Sequence, residues 1–137
     1  MASFSLAGAA DVAARQDAGT VVVLHDEVGD VLTFTDADGK VVEVSALVAG
    51  SLSSTYRKAE DAQRDRAIKR RSTTLTGEML TRQQMELTAA CVLSWNLRDG
   101  DKPIPATREN ILTVFLAAPY LRAEIEGAMQ DAARFLR

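Results

Sequence analysis

The side chains in this sequence that could do chemistry are few and scattered. They are the only histidine, His25, next to Asp26; the only cysteine, Cys91; an aromatic, Trp95, followed by Asp99, Asp101 and Glu109; and a basic triplet, Lys69-Arg70-Arg71. A histidine beside a carboxylate is the pairing a general base requires. His25, however, falls at the end of a β-branched run, where a turn residue is the plainer reading, and no activated nucleophile can be assembled from it. Cys91 has no second cysteine to bridge and lies in an apolar helical stretch, so a reduced, buried thiol is expected. The three acids could in principle grip a cation, but they lack the spacing of a calcium loop and any supporting ligand pattern. The sequence holds no phosphate loop with its Lys and Ser or Thr, no GxGxxG after a strand and no paired Cys or His set for zinc. The expectation is a protein that is not an enzyme, with no catalytic residue, no metal and no cofactor.

The densest run of special residues is WNLRDGDKPIPATRENI, from Trp95 to Ile111. Trp95 closes an apolar helical stretch, where an indole is expected to plug the core and reach a loop carbonyl with its N–H. Asp99-Gly100 is turn chemistry, and Pro103 and Pro105 forbid a helix that continues through them. Thr107 is placed to cap a helix from Arg108, with Glu109 in the first turn where the dipole favours negative charge. Pro119 stops that helix and suits the first turn of the next. The run reads as a joint, held by Trp95, Gly100, Pro105, Thr107 and Pro119, that fixes how two helices meet.

Around this joint the periodicities predict an α+β fold, mainly α-helical. A short Ala-rich helix spans Ser3 to Gln16 and ends by Gly19. Three β-branched runs follow, Val21 to Leu24, Val31 to Thr35 and Val41 to Val44, separated by Gly- and Asp-rich turns. They predict a small antiparallel meander over about 20–48. Helices occupy about 52–137, in four segments. The first, capped by Ser53 or Ser54 and running to about Arg71, has a thin stripe of Leu52, Tyr56, Ala59 and Ala67 interrupted by Gln63. Its terminal Lys69-Arg70-Arg71 suits a helix C-terminus, and Glu60, Asp61 and Asp65 offset it, so a solvated face is expected. The second starts at Thr76, or at Thr81 with Gln84 as a capping box, and puts Leu80, Leu87, Cys91 and Trp95 on one face, widened by Met79, Met85, Ala89 and Val92. It is expected to be the most buried helix. The last repeats Leu121, Ile125, Ala128, Ala132 and Phe135 on one amphipathic face.

The 137 residues suit one domain, 1–137, with a modest core. A composition of 47% hydrophobic and 26% charged residues is that of a folded protein, and a net charge of −3 gives no positive field for phosphate backbones. No secretory signal is recognisable, and ILTVFLAAPYL is shorter than the ~20 residues a membrane span needs. The expectations are no nucleic acid, no membrane and a cytoplasmic location. Internal repeats and low-complexity tracts are absent from the sequence.

The order of these features resembles the tail assembly chaperones of long-tailed, siphovirus-type bacteriophages. AADVAAR, VVVLHDEVGD, STYRKAEDAQRDRAIKRR and the long run from Leu75 to Leu136 follow one another as in that family. Trp95, Asp99-Gly100, Ile104-Pro105, Thr107, Glu109-Asn110, Pro119-Tyr120-Leu121 and Phe135-Leu136 carry the similarity. The strand-rich VLTFTDADGKVVEV goes beyond the family's simplest members. The resemblance implies an assembly factor in the host bacterial cytoplasm that binds the tape measure protein and recruits tail tube protein, and that is absent from the mature virion. It also implies a frameshifted longer form of the same chain, with a homo-oligomer as a further expectation. Helix-in-groove docking would use the stripe of the Tyr56 helix and the final amphipathic helix, which makes Tyr56, Arg57, Gln63, Arg64, Leu121, Ile125, Met129 and Phe135 the candidate partner-binding residues. The bland alternative is that both helices pack in the domain's own core. A virion structural protein, such as a head-tail connector or minor tail component, is the competing class and would be found in purified particles. A small DNA-binding regulator would have to read DNA with Lys58 to Arg71, whose interleaved acids suit that poorly.

Overall fold

Ser5 starts the first helix, α1 (Leu6–Ala18), by accepting the Gly8 N–H on its hydroxyl at 3.0 Å, and Gly19 ends it at φ +87° with its own N–H on the Arg15 carbonyl. The structure is a computed structural model that describes residues 3–70 and 76–136. Among these residues five α-helices, a closing 3-10 turn and seven short strands form a mixed α+β fold. Arg71, the expected end of the second helix, lies outside the described residues.

The strand region is less simple than a meander. β1 (Thr20–Val23) pairs antiparallel with β4 (Ser45–Val48), and β2 (Thr33–Thr35) pairs with β3 (Val41–Glu43) in a separate hairpin. Three backbone bonds join them in a ring: Leu24 N–H donates to Val44 at 2.9 Å, Val44 N–H to Leu32 at 2.8 Å, and Leu32 N–H to Leu24 at 2.9 Å. Both turns are built as expected. The carboxylates of Asp26 and Asp36 accept backbone N–H groups two and four residues on, and Gly29 and Gly39 take positive φ.

The second and third helices form an antiparallel pair. α2 (Ser54–Arg70) is capped by the Ser53 hydroxyl, which accepts the Tyr56 N–H, and α3 (Gly77–Cys91) is capped by Thr76, the first of the two expected starts. Among the described side chains of α2 none is fully buried; Tyr56, Ala59, Gln63 and Ala67 are its half-buried stripe. Leu52, expected in that stripe, lies outside it, exposed in the turn before the helix. Gln63 interrupts the apolar run because its amide donates to the Gln83 carbonyl of α3 at 2.8 Å. In α3 only the second half is buried, at Met85, Leu87, Thr88, Ala89 and Cys91. Leu80, expected on the buried face, is 51% exposed. The first half of α3 and the second half of α2 thus form an arm lying beyond the core.

The largest correction falls at Val92–Trp95, which the apolar periodicity assigns to the helix. The chain leaves helical geometry at Val92 (φ −77°, ψ 106°) and becomes β5 (Val92–Trp95), the third strand of a sheet ordered β1-β4-β5. Pairing runs Ala46 to Trp95, Leu47 to Ser94 and Val48 to Val92, so Leu93 is the extra residue of a bulge. An unpaired edge of β4, whose Ala46 and Val48 are buried, satisfies its backbone groups by recruiting these four residues, and that gain overrides helix propensity. The β portion therefore extends past 48 to include 92–103.

Beyond β5 the joint is a small hairpin, β6 (Arg98–Asp99) and β7 (Lys102–Pro103), turning at Gly100 with φ +61°. α4 (Arg108–Ala117) starts on Thr107, whose hydroxyl accepts the Asn110 N–H, and α5 (Pro119–Gln130) has proline in its first turn. The last helix ends five residues before Phe135. Asp131 breaks it, a 3-10 turn (Ala132–Leu136) carries Phe135 back into the core, and Ala132, expected on the buried face, is exposed. The core lies between the β1-β4-β5 sheet and helices α3, α4 and α5. Val22, Ala46 and Val48 from the strands and Leu24 and Val44 from the links beside them meet Cys91, Ile111, Phe115, Leu121, Ile125 and Met129. Each large side chain buried here stabilises the fold by about 1.5–3 kcal/mol.

Candidate functional site

Of the expected joint residues, Trp95, Pro105 and Thr107 meet at one short stretch, while Gly100 lies at the hairpin turn and Pro119 at the far end of α4. The Trp95 indole N–H donates to the Ile104 carbonyl at 2.7 Å, while the ring packs half-buried on the core. The Pro105 carbonyl accepts both the Thr107 N–H and the Asn110 side-chain amide, fixing the start of α4. Asn96, which sequence reasoning passes over as loop, extends the sheet with its side chain: its amide oxygen accepts the Ser45 N–H at 2.7 Å and its nitrogen donates to the Glu43 carbonyl at 3.1 Å. Arg98 lies over the Phe34 ring at 3.9 Å, so the β6–β7 hairpin is tied to the β2–β3 hairpin.

His25 has a definite partner. Both oxygens of Glu124 are engaged, one by the His25 backbone N–H and one by Nδ1 of the ring, each at 2.9 Å. This clamps the strand end to α5, ninety-nine residues away. Sequence reasoning misses it because nothing in either local stretch marks the other. Asp99 and Asp101 are exposed on the hairpin turn, and among the described residues no three His, Cys, Asp or Glu side chains converge as a metal site.

The eight candidate partner-binding residues divide sharply. Leu121, Ile125, Met129 and Phe135 are at most 5% exposed and pack inside the chain's own core, so they offer no surface to a partner. This corrects the expectation for the final helix: its amphipathic face is consumed by the sheet, α3 and α4, and Phe135 is buried in the 3-10 turn that packs on α1. Tyr56 is half-buried against the core, Gln63 is held by α3, and Arg57 and Arg64 are exposed on α2. Burial, followed by the nearby charge of Glu60, pushes the Tyr56 hydroxyl up from its ordinary pKa. Burial also pushes the Cys91 thiol up to about 11, against the opposing hydrogen bond of Ser53. The thiol is held protonated and away from reagents.

Two grooves flank α2. One, about 510 Å³, lies between α1 and the start of α2, with Ala9, Val12, Leu52 and Tyr56 among its walls. The other, about 500 Å³, lies between α2 and α3 on the arm and is strongly basic, with Arg66, Lys69 and Arg82 around Glu86. Glu86 is approached by Arg66 at 3.6 Å, Arg82 at 3.4 Å and Arg108 at 3.3 Å, from α2, α3 and α4 respectively. Large apolar side chains stay exposed nearby in sequence: Phe4 and Leu6 at 80% each, Leu52 at 59% and Ile68 at 68%. Sequence reasoning weighs the basic end of α2 as a solvated face and does not see that Arg82 and Arg108 meet Arg66 at Glu86.

No protein-family model matches this chain, and no significant match is found among curated proteins or solved structures.

Proposed function

We propose that this protein is a phage tail assembly chaperone, which binds the tape measure protein and helps recruit tail tube protein without doing chemistry itself. The order of sequence features from AADVAAR to Phe135-Leu136 supports the reading, and α2 is the observation that carries it. This helix of seventeen residues has no buried side chain among its described residues, contacts the rest of the molecule along one stripe, and is flanked on both sides by grooves. A surface of that shape suits a long helical partner laid lengthwise. The partner surface is accordingly assigned to α1, α2 and the start of α3, and not to the final helix.

Co-expression with the tape measure protein, followed by pull-down, tests the proposal. The tape measure protein should become soluble and co-purify, and mass spectrometry of purified particles should find no copy of this chain. A tape measure protein that stays equally insoluble with and without it, or this chain recovered as a stoichiometric particle component, would overturn the reading.

A further inference from the structure

We propose that the groove between α2 and α3 receives a short acidic helical segment of a partner protein, its carboxylates on Arg66, Lys69 and Arg82 and one apolar side chain on Met79. This rests on the assembly-factor reading and narrows it to one surface and one partner chemistry. The charge at the groove is unbalanced. Three guanidinium groups from three helices converge on the single carboxylate of Glu86, and Lys69 adds a further positive charge to the wall. The Glu86 contacts, 3.3 to 3.6 Å, are longer than the ~2.7–2.9 Å of a tight charge-assisted hydrogen bond, so the arginines keep donors for a second carboxylate. Glu86 is an internal competitor that draws on the guanidinium groups until a partner carboxylate displaces it.

The groove is bounded by two antiparallel helices and has Met79 in its wall, which suits a third helix carrying an apolar side chain among its acids. A nucleic acid is disfavoured by the same surface. Asp61 and Asp65 on α2 and Glu78 on α3 are exposed on the groove's own helices, and a continuous phosphate backbone would have to pass them. A helix whose acids are confined to one or two of its turns would not bring its carboxylates past them.

The test uses the full chain and three fluorescein-labelled probes: a fourteen-residue helical peptide of Glu, Ala and Leu with Glu at i and i+4, its Lys-for-Glu counterpart, and a single-stranded 20-mer DNA. The acidic peptide should bind alone among the three, in a salt-sensitive way. Arg66→Glu with Arg82→Glu should weaken it about tenfold or more. Both positions are largely exposed, and Lys69→Glu provides a milder charge reversal if the pair lowers stability. Glu86→Gln is the decisive variant, because removing the internal carboxylate should tighten the peptide severalfold, whereas a purely structural Glu86 would loosen it. Failure of the acidic peptide to bind, preference for DNA, or weaker binding by Glu86→Gln overturns the proposal. In co-expression, a tape measure protein that still co-purifies with the charge-reversed protein defeats this groove and leaves the chaperone reading standing. Loss with the intact chain defeats the chaperone reading itself.

Discussion

At Gly50 the absence of a side chain is a packing requirement. Gln16 is 1% exposed, its carbonyl accepts the Gly50 N–H and its side-chain oxygen accepts the Leu52 N–H, and a methyl on Gly50 would run into that carboxamide. Gly50→Ala should therefore lower stability by about 1–3 kcal/mol in urea unfolding. Gly127 is the opposite case. It sits exposed inside α5 with open space where a methyl would point, so Gly127→Ala should stabilise by about 0.5–1 kcal/mol in the same assay. Cys91 gives a pH prediction. Its thiol pKa is raised from 9.0 to about 11, so the folded state holds the proton more tightly than the unfolded chain does. That contribution is fully present below pH 9 and is lost as pH rises toward 11. Stability measured from pH 8 upward should fall more steeply in the wild type than in Cys91→Ala, and thiol alkylation at pH 8 should proceed only on unfolding.

Helix starts are the elements most legible in the residues. Ser53, Thr107 and Pro119 sit where cap chemistry places them, because a cap is a local matter between one side chain and free N–H groups within three residues. The strand Val92–Trp95 is illegible, since Val, Leu and Trp satisfy a helix face and a buried strand equally and only the distant edge of β4 decides between them. The break at Asp131 is hidden for a similar reason: the 3-10 turn puts Phe135 in the core by a different path from the one the helical repeat draws. Asn96 replaces backbone pairing where β4 turns into β3, and Asn96→Ala leaves the Ser45 N–H and the Glu43 carbonyl without that partner. A loss of about 1–3 kcal/mol is expected in thermal unfolding, with Asn96→Asp recovering the bond to the Ser45 N–H alone.

On the scale of the whole molecule, the division between a packed body and a lightly anchored arm organises both stability and the interaction surface. Amides at 85–91 should exchange hydrogen close to the global unfolding rate, and those at 61–70 and 77–84 much faster, because few buried contacts hold the latter. Equal protection across α3 would show that the arm is as firmly packed as the body. The arm's basic groove is only half visible in the sequence. Lys69 is plain in the triplet, while Arg82 joins the groove only through the antiparallel return of α3, and Arg108 reaches Glu86 only through the placement of α4. The sheet order β1-β4-β5 has a further effect on how the chain is made. Its central strand is finished at Val48, but its second neighbour ends at Trp95, after the entire arm has been translated. At roughly 5–20 residues per second, that leaves one side of β4 without its partner for several seconds on every ribosome. Nascent copies on neighbouring ribosomes therefore pass through an interval in which bare strand edges can meet, and a slower codon run across the arm would lengthen it.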